Sequence, residues 1–441
     1  MKNVALHNLG CKVNAYEMDF IQQNLLKKGY NVVPFDEYAD IYIVNTCTVT
    51  NIADRKSRQM LHRCKQLNPK AVVVALGCYV QTDSKGVIGD PDIDIAIGNN
   101  NKSKAIEIIE EYLASKKGEK VDCIIDINDV KNPCPYESMS IEKTIEHSRA
   151  YIKIQDGCNQ FCTYCIIPYA RGRVRSRRQE EILDEVRTLS SNGYKEVVLT
   201  GIHIGSYGMD FKDGSDLMSL LEEIDKVPGI ERVRISSLEP GTMTKEFIER
   251  LKNLKKICPH FHLSLQSGCD SVLKRMNRKY KTADFTASVE NLRKAFDRPA
   301  ITTDVIAGFP GETEAEFEET ADFIRKIGFY EIHLFPYSRR HGTLADKMEG
   351  QLTRKEKTDR VKKLSEIERE MTRAYEESFI GEKVSVLFEE PREIKGQSYM
   401  IGHTDRYLTV ALKSDEDLKN IIKEVKLSGF LADGIMAGEE A

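Results

Sequence analysis

The chain has 441 residues, 30% charged and 41% hydrophobic, with a formal net charge of −4. That is the balance of a globular protein of about two to four domains, and it excludes nucleic-acid binding through a global positive field; any such contact must come from a local basic patch. No apolar run approaches the ~20 residues needed to cross a bilayer, and residues 1–7 lead into a strand-like segment without a signal-peptide core, so a cytoplasmic protein with no membrane partner is expected.

Residues 1–120 alternate apolar runs with amphipathic stretches. Strands are expected at 4–9, 41–44 and 72–76, and helices at 17–28, 55–67 and 102–114. This rhythm predicts a doubly wound parallel sheet, an α/β fold. Residues 121–143 read as a linker, with Asn132-Pro133-Cys134-Pro135 in it. Residues 144–375 repeat the rhythm six times, with strands at 151–154, 196–200, 232–236, 260–265, 301–307 and 330–335 and helices such as 180–189 and 313–326. Six βα units predict a partial (βα)6 barrel with its chemistry at the carboxyl ends of the strands. A helix over about 353–380 carries Val361, Leu364, Ile367, Met371 and Tyr375 on one face, the pattern of a packing stripe. Residues 376–441 predict a small β-barrel with strands at 383–388, 407–410 and 422–427.

Eleven cysteines in a reducing compartment point to metal ligation or buried thiols, not disulfides. Cys158, Cys162 and Cys165 form a Cys-x-x-x-Cys-x-x-Cys triplet. Three thiolates without a nearby fourth suit a [4Fe–4S] cube that leaves one iron open. Zinc is the bland alternative, but it wants four ligands, usually in paired knuckles, and this spacing is unusual for it. Cys11, Cys47 and Cys78 each follow a predicted strand, so in an open parallel sheet all three line one crevice. Singly, each reads as an inert core thiol; three at equivalent positions predict a second three-thiolate cluster. Cys64, Cys123, Cys134, Cys258 and Cys269 show no ligand spacing and read as buried thiols.

Taken with the upstream cysteines and the small C-terminal barrel, the triplet resembles the signature of radical S-adenosylmethionine (SAM) methylthiotransferases, and the likeness runs along essentially the whole chain. Leu9-Gly10-Cys11-Lys12-Val13-Asn14, Asn45-Thr46-Cys47-Thr48-Val49-Thr50 and Leu76-Gly77-Cys78 are most similar to the branch acting on N6-threonylcarbamoyladenosine at position 37 of tRNA. The resemblance implies two [4Fe–4S] clusters: a SAM-cleaving one on Cys158, Cys162 and Cys165, and an auxiliary one on Cys11, Cys47 and Cys78. It implies SAM contacts from Tyr164, from Gly201 and His203 after the second barrel strand, and from Ser237 and Glu239 after the third. Gln266 and Arg275 after the fourth strand, and Gly308 and Gly311 after the fifth, complete that set. Taken alone, any of these is as readily a turn as a ligand.

The same resemblance implies methylthiolation of C2 of the adenine, with SAM as both methyl donor and radical source, a step whose hard chemistry belongs to the cofactor. Its partners would be the tRNA anticodon stem-loop, SAM and an external electron donor, with the protein a monomer. It implies a radical SAM domain over 144–375 and a TRAM-like RNA-binding domain over 376–441.

Arg171, Arg173, Arg175, Arg177 and Arg178 form a dense run after the triplet. Arginine suits bidentate phosphate contacts, and Arg173, Arg175 and Arg177 are the expected RNA contacts; a solvated loop paired with Glu180 and Glu181 is the alternative. Residues 382–441 carry eight basic against twelve acidic side chains, so RNA contact there must use one face, around Arg392, Lys395 and Arg406. A threonylcarbamoyl group carries a carboxylate and needs a cation. Arg55 and Arg58, in the first turns of the helix after Cys47, are expected to supply it, with help from the helix N-terminus; Arg339 or Arg340 could serve instead. Three other readings stay open: an isopentenyladenosine tRNA substrate, a ribosomal protein side chain, or a non-catalytic iron–sulfur RNA-binding protein.

Overall fold

The computed structural model describes residues 2–115, 124–127, 130, 134–144, 148–414 and 416–440. Cys123 and Asn132-Pro133 lie outside the described residues.

The N-terminal sheet contains β1 (Asn3–Asn8), β2 (Asn31–Val33), β3 (Ile41–Thr46), β4 (Val72–Gly77), β5 (Ile95–Ile97) and β6 (Ile124–Asp126), all parallel in the order β2-β1-β3-β4-β5-β6. β3 and β4 are buried along their whole length, as continuous apolar strands of a two-faced sheet should be. The expected strands at 4–9, 41–44 and 72–76 are present. β2, β5 and β6 were not expected: each has three residues, too short to show a period. The sheet runs on to Asp126, past residue 120 and into the expected linker.

The first helix is Lys12–Lys27 and begins five residues before the expected start. Its N-cap is Cys11, without a side-chain cap, and it buries Asn14, Glu17 and Asp19. Buried polar residues erase the amphipathic signal that would have marked this end. Order reverses between β1 and β3, so the carboxyl ends of these strands form the topological switch point where open α/β sheets bind ligands.

The central strands are β7 (Arg149–Lys153), a two-residue ribbon β8 (Gln155–Asp156) with β9 (Arg175–Ser176), then β10 (Glu196–Thr200), β11 (Arg232–Ile235), β12 (His260–His262), β13 (Ala300–Ala307) and β14 (Glu331–Pro336). Two parallel sheets, β11-β10-β7 and β12-β13-β14, are joined by the bridges Val233–Ile257 and Leu238–Leu263. Six strands thus make an arc around one large core, and all six expected strands are found. Helix Lys12–Lys27 packs against β7 at one end of the arc. Tyr16 Oη there donates to Met139 O at 2.6 Å, so the N-terminal sheet is docked on the open side of the partial barrel.

Helix Arg354–Glu377, with a Thr353/Glu356 capping box, leads to a closed barrel of β15 (Lys383–Ile394), β16 (Gln397–Thr404), β17 (Thr409–Leu412), β18 (Ile422–Ala432) and β19 (Ile435–Glu440) in the order β15-β16-β17-β19-β18. β16 and β19 were not expected from the sequence. This barrel meets the amino-terminal ends of β7 and β11: Arg149 Nε lies 3.0 Å from Glu389 Oε1, Arg232 donates to Ser385 O at 2.7 Å and Arg234 to Asp405 O at 3.0 Å. The carboxyl ends of the strands therefore stay open at the opposite mouth. Among the described residues, no helix is long and apolar enough to cross a membrane.

Candidate active site

Cys47 and Cys78 follow β3 and β4 directly and Cys11 lies three residues past the end of β1, and the chain turns near them through local constraints. Gly10 has φ +110°, and a Cβ there would sit 3.2 Å from Cys47 Sγ. Gly77 has φ +104°, and a Cβ there would meet Asn45 Oδ1 and the backbone of Thr46 at under 3 Å. Only glycine suits both positions, and each delivers the next residue, a cysteine, to the switch point. Asn14 sits among the three turns. Its Nδ2 donates to Leu9 O at 2.7 Å and to Thr46 O at 3.2 Å, and its Oδ1 is 4.0 Å from Cys11 Sγ. Asn99 Nδ2 donates to Cys78 Sγ at 3.5 Å.

Cys47 and Cys78 are buried, while Cys11 is exposed. Burial pushes the Cys47 thiol up to about 11, with the neighbouring Cys78 and Cys11 adding to it. The Cys11 thiol is also raised, first by its surround and then against the pull of Arg171. Three convergent thiols at one crevice fit a cluster ligated through three irons, and loading them releases protons.

The second set lies on the loop between β8 and helix Ile167–Arg171. Cys158 N donates to Gly172 O at 3.0 Å, Cys165 N to Cys162 O at 3.0 Å and Thr163 N to Met276 O at 3.0 Å, which fixes the loop across the barrel mouth. Donors point at the sulfurs: Gln160 N is 3.4 Å from Cys158 Sγ, and Arg278 Nη1 is 3.2 Å from Cys162 Sγ. Burial raises Cys158 to about 11 and Cys165 to about 12, with the partner thiols adding to each. Three thiols with N–H groups aimed at them fit an anionic cluster that keeps one iron open.

A cavity of about 270 Å³ opens beside this loop, lined by Gln160, His203, Met209, Glu239, Thr242 and Tyr280. Burial holds the His203 imidazole below its ordinary pKa, which Glu239 only partly offsets. Gly201 leaves space for the Gln155 backbone and side chain, 3.0 Å from where a Cβ would lie. Tyr164 packs on the apolar group of Met276, Phe309 and Tyr337. Ser237 is exposed on the turn after β11, and Gln266, at φ +68°, bridges β12 to β13 through its backbone.

Relatives align along nearly the whole chain. It is 42% identical over 97% of its length, and 94% of theirs, to a protein of Bacillus subtilis named "Threonylcarbamoyladenosine tRNA methylthiotransferase MtaB". An Aquifex aeolicus protein of the same name is 38% identical over 90% of this chain and 95% of its own. A "tRNA-2-methylthio-N(6)-dimethylallyladenosine synthase" of Moorella thermoacetica is 33% identical over 97% and 96%. Residues 152–324 match the radical SAM superfamily and residues 3–98 the uncharacterized protein family UPF0004. The chain belongs to the radical SAM methylthiotransferase family. In fold it is similar to the SAM methyltransferase TsrM of Kitasatospora setae, with a TM-score of 0.54 at 15% identity over 76% of this chain and 75% of that one.

In the structure, several of the expected contact residues bond to the protein itself. Arg275 is held by both carboxylate oxygens of Glu316 at 2.8 Å, away from the cavity. Arg278, three residues on and not singled out from sequence, spans Cys162 Sγ and Glu239 and lies over the Tyr280 ring. The N–H groups of Gly308 and Gly311 are taken by Glu312 Oε2 at 2.7 Å and Gly350 O at 2.8 Å, so this motif is a braced turn in the protein's own structure.

The arginine run divides. Arg175 and Arg177 are buried: Arg175 donates to Asn100 Oδ1 at 2.6 Å and Arg171 O at 3.1 Å, and Arg177 pairs with Glu185 and donates to Tyr16 Oη at 3.2 Å. Both are engaged within the protein. Arg173 remains exposed, over the Phe161 ring at 4.6 Å. Arg55 and Arg58 are exposed, with Arg58 over Tyr79. Arg340 is a staple between domains, donating to Thr48 Oγ1 and Asp54 Oδ2 at 2.6 Å each, and Arg339 pairs with Asp346 at 2.6 Å. Arg406 is tied to Asp297 O and Arg298 O. Cys64, Cys258 and Cys269 are buried thiols as expected, while Cys134 is half-buried.

Proposed function

We propose that this protein methylthiolates C2 of N6-threonylcarbamoyladenosine at position 37 of tRNA, with Cys158, Cys162 and Cys165 holding the SAM-binding cluster and Cys11, Cys47 and Cys78 the auxiliary one. The single observation that carries this is a one-residue bridge between the surroundings of the two cysteine sites. Asn99 donates both to Cys78 Sγ and, at 2.8 Å, to Ala170 O on the helix that follows Cys165. When bound, the first cluster would pass to SAM an electron from an external donor, SAM would supply the radical and the methyl group, and the auxiliary cluster would carry the sulfur.

The chain's own residues then orient and enclose. Arg278 supports the Cys162 sulfur and fixes Glu239 at the cavity wall, where His203 is kept neutral for hydrogen bonding. Tyr164, next to Cys165 in sequence, packs on Met276, Phe309 and Tyr337. RNA approaches the open mouth, where exposed Arg173 and Tyr169 flank Phe161 and offer one cation and one stacking ring. Two exposed cations are proposed to meet the carboxylate of the threonylcarbamoyl group: Arg55, and Lys12, which follows Cys11. Activity of Arg55→Met and Lys12→Met on the free acid and on its methyl ester identifies the reader, since only loss of the reader spares the ester. Nucleoside mass spectrometry of tRNA from a deletion strain tests the function. Loss of the 2-methylthio group from threonylcarbamoyladenosine, restored by the gene and not by a Cys47→Ala variant, is expected. An unchanged nucleoside profile would refute it.

A further inference from the structure

Between the two cysteine sites lies a buried ion network. Glu17 pairs with Lys102, with Lys153 at 2.8 Å and with Arg171 at 2.9 Å. Asp156 pairs with Lys153 at 2.7 Å, Arg171 at 3.2 Å and Arg175 at 3.4 Å. The side chains of Glu17, Lys102 and Arg171 have no exposed surface, and that of Lys153 has 1%. Among the described residues, four cations thus meet two carboxylates. A third acid, Glu137, is held by Ser103 at 2.7 Å and is raised by burial; even ionised, it leaves the set positive. Buried charge without a counter-charge is strongly destabilising, so an excess of this kind needs an anion close by.

Arg171 points to that anion. Its Nη2 donates to Asn14 Oδ1 at 2.6 Å, and Asn14 is the residue seated among the turns of Cys11 and Cys47. The charges that favour its cationic form are, in order, Cys78, Glu17, Asp156 and Cys11. Its own helix, Ile167–Arg171, packs on the helix Cys78–Thr82. A three-thiolate [4Fe–4S] cluster is a net anion whose charge grows by one on reduction.

We infer that the excess positive charge of this network is the built-in counter-charge of the auxiliary cluster, with Arg171 as the positioning residue that sets the cluster's reduction potential. The inference rests on the reading that Cys11, Cys47 and Cys78 hold that cluster. A cation beside an anionic cluster favours its reduced form, so removing the cation must lower the potential, and removing a neighbouring anion must raise it.

The test is an EPR-monitored redox titration of anaerobically reconstituted full-length protein, with the auxiliary signal assigned in a Cys158→Ala/Cys162→Ala/Cys165→Ala background. Arg171→Met is expected to disfavour reduction at least tenfold, about 59 mV for one electron. Arg171→Lys should fall between it and the wild type, and Glu17→Gln should shift the other way. Opposite signs are not what a merely structural role gives, and Glu17→Gln keeps the test alive where Arg171→Met fails to fold. Wild type with about eight irons, four per cubane, and potentials unmoved by both substitutions would overturn the counter-charge assignment. Wild type with only about four irons would instead overturn the cluster reading beneath it.

Discussion

Arg278 Nη1 lies 3.2 Å from Cys162 Sγ, while its Nη2 holds Glu239. One guanidinium thereby ties the loop of the SAM-binding cluster to the turn after β11. A charged N–H donor on a ligating sulfur stabilises the reduced cluster and orients the carboxylate at the cavity wall. Arg278→Met is therefore expected to keep about eight irons per chain while slowing 5′-deoxyadenosine release at least tenfold, with Arg278→Lys between it and the wild type. Chromatography of reductant-driven SAM turnover checks this; full turnover in Arg278→Met would assign the residue to packing alone.

The two cysteine sets should be separable. Replacing Cys158, Cys162 and Cys165 by Ala should halve the iron content and abolish SAM cleavage. Replacing Cys11, Cys47 and Cys78 should also halve it, yet leave 5′-deoxyadenosine formation measurable while methylthio transfer stops. Iron analysis with nucleoside mass spectrometry reads both. A triple variant at Cys11, Cys47 and Cys78 that still makes methylthiolated tRNA would remove the auxiliary site from the reaction.

Arg173 and Arg177 stand four residues apart and should behave as different kinds of residue. Arg173→Gln removes an exposed cation, so tRNA binding should weaken and the salt slope flatten by about one unit. Arg177→Gln breaks the buried pair with Glu185, and a buried charge left without its partner costs on the order of 3–5 kcal/mol. That loss should be seen in denaturant unfolding, not in the salt slope. A flatter slope from Arg177→Gln with unchanged stability would return it to the RNA surface.

What was legible in the sequence follows from length and spacing. The six barrel strands and the three strands before Cys11, Cys47 and Cys78 are apolar runs bounded by turns, and the cysteine triplet is contiguous. The strands of the N-terminal sheet that escaped, such as Ile95–Ile97, are three residues long and are held by their neighbours, here β4 and β6. The arginine run misled for a related reason. Spacing shows that Arg173, Arg175 and Arg177 are close, but Asn100 and Asp156, which hold Arg175, and Glu185, which holds Arg177, come from other elements, so burial could not be read. Arg278 had no signal at all: its role exists only because the turn after helix Asp270–Arg275 returns to the Cys162 loop. Asn14 and Glu17 hid in the same way, as polar residues inside a helix whose buried face is polar.

Glu376 gives the protein a pH dependence that can be predicted in sign. It sits near the end of helix Arg354–Glu377, just before the C-terminal barrel, and is buried. Burial raises its carboxyl to about 7, with Arg373 opposing and Asp433, Glu368 and Glu331 adding to the rise. In the unfolded chain it titrates near 4.3. Between those values the native state holds a proton that the unfolded state has lost, so stability falls as pH rises through this window and levels off above it. Glu376→Gln mimics the protonated form. It should raise the midpoint of thermal unfolding at pH 8 and leave it nearly unchanged at pH 4, where the native state is protonated and the unfolded state mostly so at this site. Scanning fluorimetry of wild type and variant between pH 4 and 8 measures the difference. An equal shift at both ends would mean that the substitution acts through packing at the helix end, and a lower midpoint at pH 8 would mean that the carboxylate is stabilised there by Arg373.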